Sequence, residues 1–146
     1  MGIFNHVIAD EHTILTYIPQ RPPMVMVEKL HLAEGRKTIG SLKIKEDNIF
    51  CKNGLLHEPG IIENIAQTAA VGVGVAYSNQ DKKIPTGYIG AVQKLTIHRL
   101  PALGKTILTE VNVEHEVFNT TLISGKVTCD NKPVADCTMK IYLNED

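Results

Sequence analysis

Two residues near the middle of the chain have the types and spacing for proton transfer. His57 lies two residues before Pro59, and Glu63 follows His57 by six. If Pro59 opens a helix, where its missing N–H removes no bond, His57 falls just outside the helix N-terminus. The positive end of the helix dipole there disfavours imidazolium and keeps the ring neutral and basic. Glu63 then lies about one and a half turns inside, among Ile61, Ile62, Ile65 and Ala66. Burial among such neighbours would favour its protonated, proton-donating form. A histidine and a carboxyl group suffice as general base and general acid. The N–H groups of Gly60 and Ile61 belong to the unsatisfied first turn and are expected to face a ligand carbonyl on which charge develops. Gln67, one turn beyond Glu63 on the same face, is placed to contact substrate, to orient the carboxyl group or to bond a strand.

Each of these residues also has a purely structural reading. His57 would then be a loop residue that helps cap the helix. Glu63 would be half of a buried ion pair with Arg21 or Arg99, since an unpaired buried carboxylate is expensive. The other histidines, His6, His12, His31, His98 and His115, are scattered and include no H-x-x-x-H pair, so neither a metal nor another cofactor is expected. Cys51, Cys129 and Cys137 form no C-x-x-C motif and are expected to be free thiols in a reducing compartment.

The elements that must position these groups follow from the hydrophobic pattern. Residues 24–32 and 37–45 alternate apolar with polar positions across the turn Ala33-Glu34-Gly35-Arg36, which reads as a hairpin. Pro19, Pro22 and Pro23 exclude a helix upstream of it. From Pro59 to Tyr77 the pattern predicts a helix of about 18 residues, apolar around most of its circumference and therefore buried on all sides. Gly72 and Gly74 weaken that helix, and a close approach of a surrounding sheet would explain them. Strands are predicted over 88–99, 105–117, 120–129 and 133–143, broken by turn residues such as Asp130-Asn131-Lys132. A hairpin, one buried helix and an antiparallel meander make an α+β layout in which a sheet wraps around a single helix.

The segment Gly54-Leu55-Leu56-His57-Glu58-Pro59-Gly60-Ile61-Ile62-Glu63-Asn64-Ile65-Ala66-Gln67-Thr68-Ala69-Ala70 resembles the central helix of hotdog-fold 3-hydroxyacyl-(acyl-carrier-protein) dehydratases. That family's signature runs Pro-Gly, aliphatics, then Glu-x-x-Ala-Gln. Ile18-Pro19-Gln20-Arg21-Pro22-Pro23-Met24-Val25-Met26-Val27-Glu28 is similar to the family's opening Leu-Pro-His-Arg-x-Pro stretch. Gly90 to Lys105, with Pro101-Ala102-Leu103-Gly104, resembles its second-half strand and turn. The resemblance implies a hotdog fold with two copies joined edge to edge and active sites at the dimer interface. It also implies that a 3-hydroxyacyl thioester loses water to give the trans-2-enoyl thioester, in fatty-acid or polyene-type biosynthesis. A hotdog thioesterase, and a non-catalytic partner of a catalytic paralogue, use the same scaffold.

The chain departs from that pattern where the family carries a catalytic histidine before phenylalanine. Fourteen positions before Glu63 stands Ile49, followed by Phe50, and Pro59-Gly60 lies two positions closer to the glutamate. The arrangement is closer to the dehydratases of aryl-polyene and flexirubin-type pigment clusters, with a Phe-x-x-x-Gly stretch at Phe50 to Gly54. The implied partners are an acyl carrier protein or coenzyme A thioester and a second subunit, a copy or a dehydratase paralogue, in a dimer or higher assembly.

Composition is compatible with this. The 146 residues are 43% hydrophobic and 21% charged, with 15 Lys+Arg against 16 Asp+Glu, which fits one soluble domain spanning 1–146. A net charge of -1 lacks the basic stripe that phosphate contacts require, so nucleic acid is not expected. The stretch Ile61–Tyr77 is interrupted by Glu63, Asn64 and Gln67 and falls short of the roughly 20 apolar residues of a membrane span. The N-terminus has no basic or apolar signal region, so a cytoplasmic location is expected.

Overall fold

The computed structural model describes residues 2–144. Met1, Glu145 and Asp146, at the ends of the expected 1–146 domain, lie outside the described residues. Eight strands and one α-helix follow two short 3-10 turns in the order β1 (Lys29–Glu34), β2 (Lys37–Lys43), β3 (Cys51–Lys52), β4 (Leu55–Leu56), α1 (Glu58–Asn79), β5 (Thr86–Ile97), β6 (Thr106–Val117), β7 (Thr120–Cys129) and β8 (Lys132–Asn144). Six of the strands form one sheet in the order β1-β2-β6-β7-β8-β5, and every neighbouring pair is antiparallel. Helix α1 lies mainly over β2, β6 and β7. The architecture is α+β, as expected.

Inward-facing residues of alternate strand positions build the core against the helix. Ile61 and Ile65 meet Ile107, Val111, Ile123, Val127 and Met139, all buried. Gly125 of β7 makes room for this contact, because a Cβ there would lie 2.5 Å from Cγ2 of Ile65. A second buried cluster closes the other side of α1, where the N-terminal segment brings Ala9, Ile14 and Ile18 against Val27, Leu30 and Val71. The two helix glycines are both explained by close approach, though only one by the sheet. A Cβ on Gly72 would run into Thr38 of β2, whereas one on Gly74 would run into the main chain of Tyr17.

Several boundaries differ from expectation for identifiable reasons. Helix α1 has 22 residues. The strand expected from Met24 begins only at Lys29, because side chains of α1 hold the main chain of Met24 and Met26 in place of a ladder partner. The hairpin β3–β4 was not anticipated from pattern. Its turn is Asn53-Gly54, both at positive φ (55° and 75°), which suits a two-residue hairpin connection. Edge strand β5 is irregular, with register shifts between Ile89 and Ala91 and between Gln93 and Thr96, and it leaves Tyr88, Ile89 and Leu95 exposed.

Candidate active site

Glu63 is half-buried, less than its apolar neighbours in the sequence suggest. The reason is a cleft of about 560 Å³ beside α1, lined by the helix, by Tyr17, Pro19 and Gln20 and by residues of all six strands of the large sheet. Its walls include Ala66, Ala70 and Val73 of α1 with Ile123 and Ile141 of the sheet, and Glu63 and Gln67 are among its polar lining residues. A mostly apolar cleft of this size with a few convergent polar groups has the character of a small-molecule site. Neither Arg21 nor Arg99 pairs with Glu63 among the described residues. Arg21 instead donates to the carbonyl oxygens of Ile18 and Gln20 at 2.9 and 2.7 Å.

Gln67 is almost wholly buried, and every part of its amide is engaged. Its Nε2 donates to Glu63 Oε2 at 2.9 Å and to the Met24 carbonyl at 2.9 Å, while its Oε1 accepts the Met26 N–H at 2.6 Å. Gln67 therefore both orients the carboxyl group and bonds a neighbouring segment. No N–H of its side chain is left for a substrate. Asn64, also buried, completes the clamp: its Nδ2 donates to the Met26 carbonyl at 2.7 Å, and its Oδ1 accepts from the Thr109 hydroxyl of β6. Two amides three residues apart on one helix face thus take both main-chain groups of Met26, as a strand neighbour would.

His57 is the N-cap of α1, with extended backbone and no side-chain cap bond. Its Nε2 donates to the Lys52 carbonyl at 3.0 Å, which leaves Nδ1 as the lone-pair nitrogen of a neutral ring. Nδ1 lies 3.7 Å from Glu58 Oε1, and the side chain keeps 34% of its exposure. His57 does not line the cleft. Six residues at 3.6 per turn also set it about 120° around the helix axis from Glu63. Within one chain the two expected catalytic groups are not brought together.

The first turn of α1 is likewise closed. Gly60 and Ile61 both donate to the His57 carbonyl, at 3.0 and 3.2 Å, so neither N–H is free for a carbonyl oxygen of a ligand. Both residues are buried, and Phe50 and Leu56 pack over Gly60 so tightly that a Cβ there would lie 2.7 and 2.6 Å from their side chains. Ile49, at the position where the family resemblance calls for histidine, is 47% exposed. Gln20, which the sequence did not single out, also lines the cleft, and its side-chain oxygen is buried without a hydrogen-bond partner. The only hint of it was its place in the resembling Ile18-Pro19-Gln20-Arg21 stretch.

The cysteines are free, with thiols pushed above their ordinary pKa by burial, in Cys137 to about 11 with Asp136 adding to the effect. Among the described residues no helix is long and apolar enough to cross a membrane, and no cluster of three or more His, Cys, Asp or Glu could hold a metal.

A long helix laid on a curved antiparallel sheet, with a held carboxyl group facing an apolar cleft, defines a hotdog-fold protein. Residues 12–146 match the ApeP-like family, described as ApeP dehydratase, and the chain belongs to that family. Among solved structures it is similar to the dehydratase heterocomplex ApeI:P from Xenorhabdus doucetiae, with 15% identity over 89% of this chain and 90% of that one and a TM-score of 0.80. It is also similar to PH1136, an uncharacterized protein from Pyrococcus horikoshii (14% identity, 90% and 93% covered, TM-score 0.69). A hypothetical thioesterase from Streptococcus pneumoniae TIGR4, solved with coenzyme A, aligns at 10% identity over 80% and 85% of the chains with a TM-score of 0.64. These likenesses carry the fold. No curated protein matches.

Proposed function

We propose that the chain, as a single hotdog domain, is a subunit of a dehydratase acting on 3-hydroxyacyl thioesters of an acyl carrier protein or coenzyme A. A base removes a proton from C2, the C2–C3 double bond forms, the C3–O bond breaks, and the departing hydroxyl takes a proton to leave as water. Glu63 is the acid of that step. The observation that carries this reading is the Gln67–Glu63 hydrogen bond in the lining of a mostly apolar cleft, which fixes one carboxyl oxygen and leaves the other for substrate. The carboxyl group must begin the cycle protonated and end it ionised, and the base must end it protonated, so solvent resets both.

The base comes from a second subunit. His57 and Glu63 point to different sides of α1, and β5 leaves an exposed sheet edge along which a second subunit would pair. In a homodimer the base is His57, whose Nδ1 makes no backbone bond. A second reading is favoured by Ile49 and by the engaged N–H groups of Gly60 and Ile61. In it this chain contributes the Glu63 cleft, and a dehydratase paralogue contributes the base and the donors for the thioester oxygen; the similar ApeI:P structure is itself a dehydratase heterocomplex.

Turnover of a 3-hydroxyacyl thioester by the isolated chain and by the chain with its paralogue tests both. Water loss that Glu63→Gln abolishes supports the acid assignment. Release of free thiol in place of enoyl thioester would make the protein a thioesterase with Glu63 activating water.

A further inference from the structure

Glu63 stands at the end of a chain of hydrogen bonds that starts in the sheet. The Thr109 hydroxyl of β6 donates to Asn64 Oδ1, and Asn64 Nδ2 donates to the Met26 carbonyl at 2.7 Å. The Met26 N–H in turn donates to Gln67 Oε1 at 2.6 Å, and Gln67 Nε2 donates to Glu63 Oε2 at 2.9 Å. Thr109 and Asn64 are wholly buried, and neither lines the cleft.

The main chain dictates the sense of these bonds. A peptide N–H only donates and a peptide carbonyl only accepts. The Met26 N–H therefore takes the oxygen of Gln67, and the Met24 carbonyl, at 2.9 Å, takes one of its two amide hydrogens. Turning the amide over would break both bonds, so its remaining hydrogen is committed to Glu63. The Met26 carbonyl fixes Asn64 in the same way, which makes its oxygen the atom that Thr109 serves. Residues 25–28 belong to no strand, and Met26 has its main-chain bonds from Asn64 and Gln67. A shift of Met26 is thus passed through Gln67 to the carboxyl group. We propose that Thr109 and Asn64 are positioning residues for the elimination, which hold Met26 where Gln67 can fix one oxygen of Glu63 and leave the other to give up its proton. This rests on Glu63 being the acid. Removing the Thr109 hydroxyl leaves Asn64 Oδ1 a buried acceptor without a donor, and the loosened clamp misplaces an acid that Thr109 never touches.

Steady-state kinetics of three variants in their native assembly, on a 3-hydroxyacyl thioester, test this. Thr109→Val keeps the shape and removes the donor, whereas Thr109→Ser keeps the donor. Ser41→Ala removes a different buried hydroxyl, one that bonds His31 at 2.7 Å and lies outside the chain of bonds. Thr109→Val should lower kcat about tenfold with KM within about twofold of wild type. Thr109→Ser should return kcat to within about twofold, and Ser41→Ala should keep the wild-type kcat although it too loses a buried bond. A second readout needs no turnover: the side-chain amide NMR signals of Gln67 should move in Thr109→Val and return in Thr109→Ser. Unchanged kcat in Thr109→Val, a loss confined to KM, an equal loss in Ser41→Ala, or Gln67 signals that stay in place would each overturn the proposal. If the Gln67 signals move as expected but wild type eliminates no water, the acid assignment fails, and Thr109 and Asn64 stand only as holders of the Glu63 carboxyl group.

Discussion

The two ends of the polar run on α1 differ in what their groups have left to offer. At the N-terminal end His57 bonds Lys52, the N–H groups of Gly60 and Ile61 bond His57, and Phe50 and Leu56 cover the first turn. Seven to ten residues further on, Asn64 and Gln67 are just as fully engaged, but one of the bonds that Gln67 makes holds Glu63, a residue that lines the cleft. A polar residue in an apolar helix therefore does not announce chemistry by itself. What separates the two regions is whether the local hydrogen bonds end on the protein or present one group to an open space.

The largest effect expected from this contrast is on turnover. Glu63→Gln keeps the volume but removes the acid, and elimination of water should fall by at least about 100-fold, roughly 2.7 kcal/mol in barrier height. His57→Asn should cost as much if His57 supplies the base to a paired subunit. Near-normal turnover by His57→Asn alongside a dead Glu63→Gln would show that the N-terminal end of α1 is only a closed cap and that the base comes from a paralogue. Steady-state assays of both variants, with melting temperatures nearly unchanged, decide it.

Much of this was legible in the sequence, for reasons that can be named. Strand β7 has the bounds 120–129 that alternation predicts, because the turn residues Asp130 and Asn131, both at positive φ, punctuate it sharply. Helix α1 was visible from Pro59 and its apolar run, and Glu63 and Gln67 from being polar within it. What could not be read were partners distant in sequence. Met24–Glu28 alternates like a strand, yet Asn64 and Gln67, some forty residues away, take its main-chain groups. The β3–β4 hairpin has strands of two residues, too short for any periodicity, although Asn53-Gly54 marked its turn. It is this hairpin that turns Phe50 and Leu56 onto Gly60 and closes the first turn. The open oxygen of Gln20 depends on what fails to reach it, which no local pattern encodes.

The clamp offers the next test. Asn64→Leu should leave the Met26 carbonyl and the Thr109 hydroxyl buried without partners, destabilising the fold by about 2 kcal/mol in urea denaturation. Thr109→Val should recover part of that loss in the double variant, because it removes one of the two orphans. Strict additivity of the two changes would mean that Asn64 and Thr109 do not act as a unit. Around the helix, Ala69 is buried and Ala70 half-buried, and both border the cleft, although the sequence pattern placed both in the core. Ala69→Leu should destabilise by about 1–2 kcal/mol through overpacking. Ala70→Leu should change stability by under about 0.5 kcal/mol yet weaken binding of long acyl chains. Equal destabilisation by both would mean that the cleft is filled by protein.

The smallest effect concerns how firmly the N-terminal end is closed. Cys51 lies in β3, part of the hairpin that covers the first turn of α1, and burial holds its thiol above the ordinary pKa. Cys137, deeper in β8, is pushed to about 11. Because the thiolate is the reactive form, a raised pKa lowers the reactive fraction at neutral pH, and the labelling rate should climb about tenfold per pH unit until the pKa is passed. At pH 7.5 Cys51 should therefore react several-fold more slowly with a maleimide than a free thiol, and Cys137 more slowly still. A second consequence runs through stability. Cys137 ionises in the unfolded chain near 9 but in the folded chain only near 11, so across that window the unfolded state loses the proton first and stability falls as pH rises. If Cys51 instead labels at the rate of a free thiol while Cys137 stays protected, the β3–β4 cover opens on its own. Gly60 and Ile61 would then become reachable in the open state, and the difference between the two ends of α1 would be one of timing, with the closed end regaining a part in the reaction.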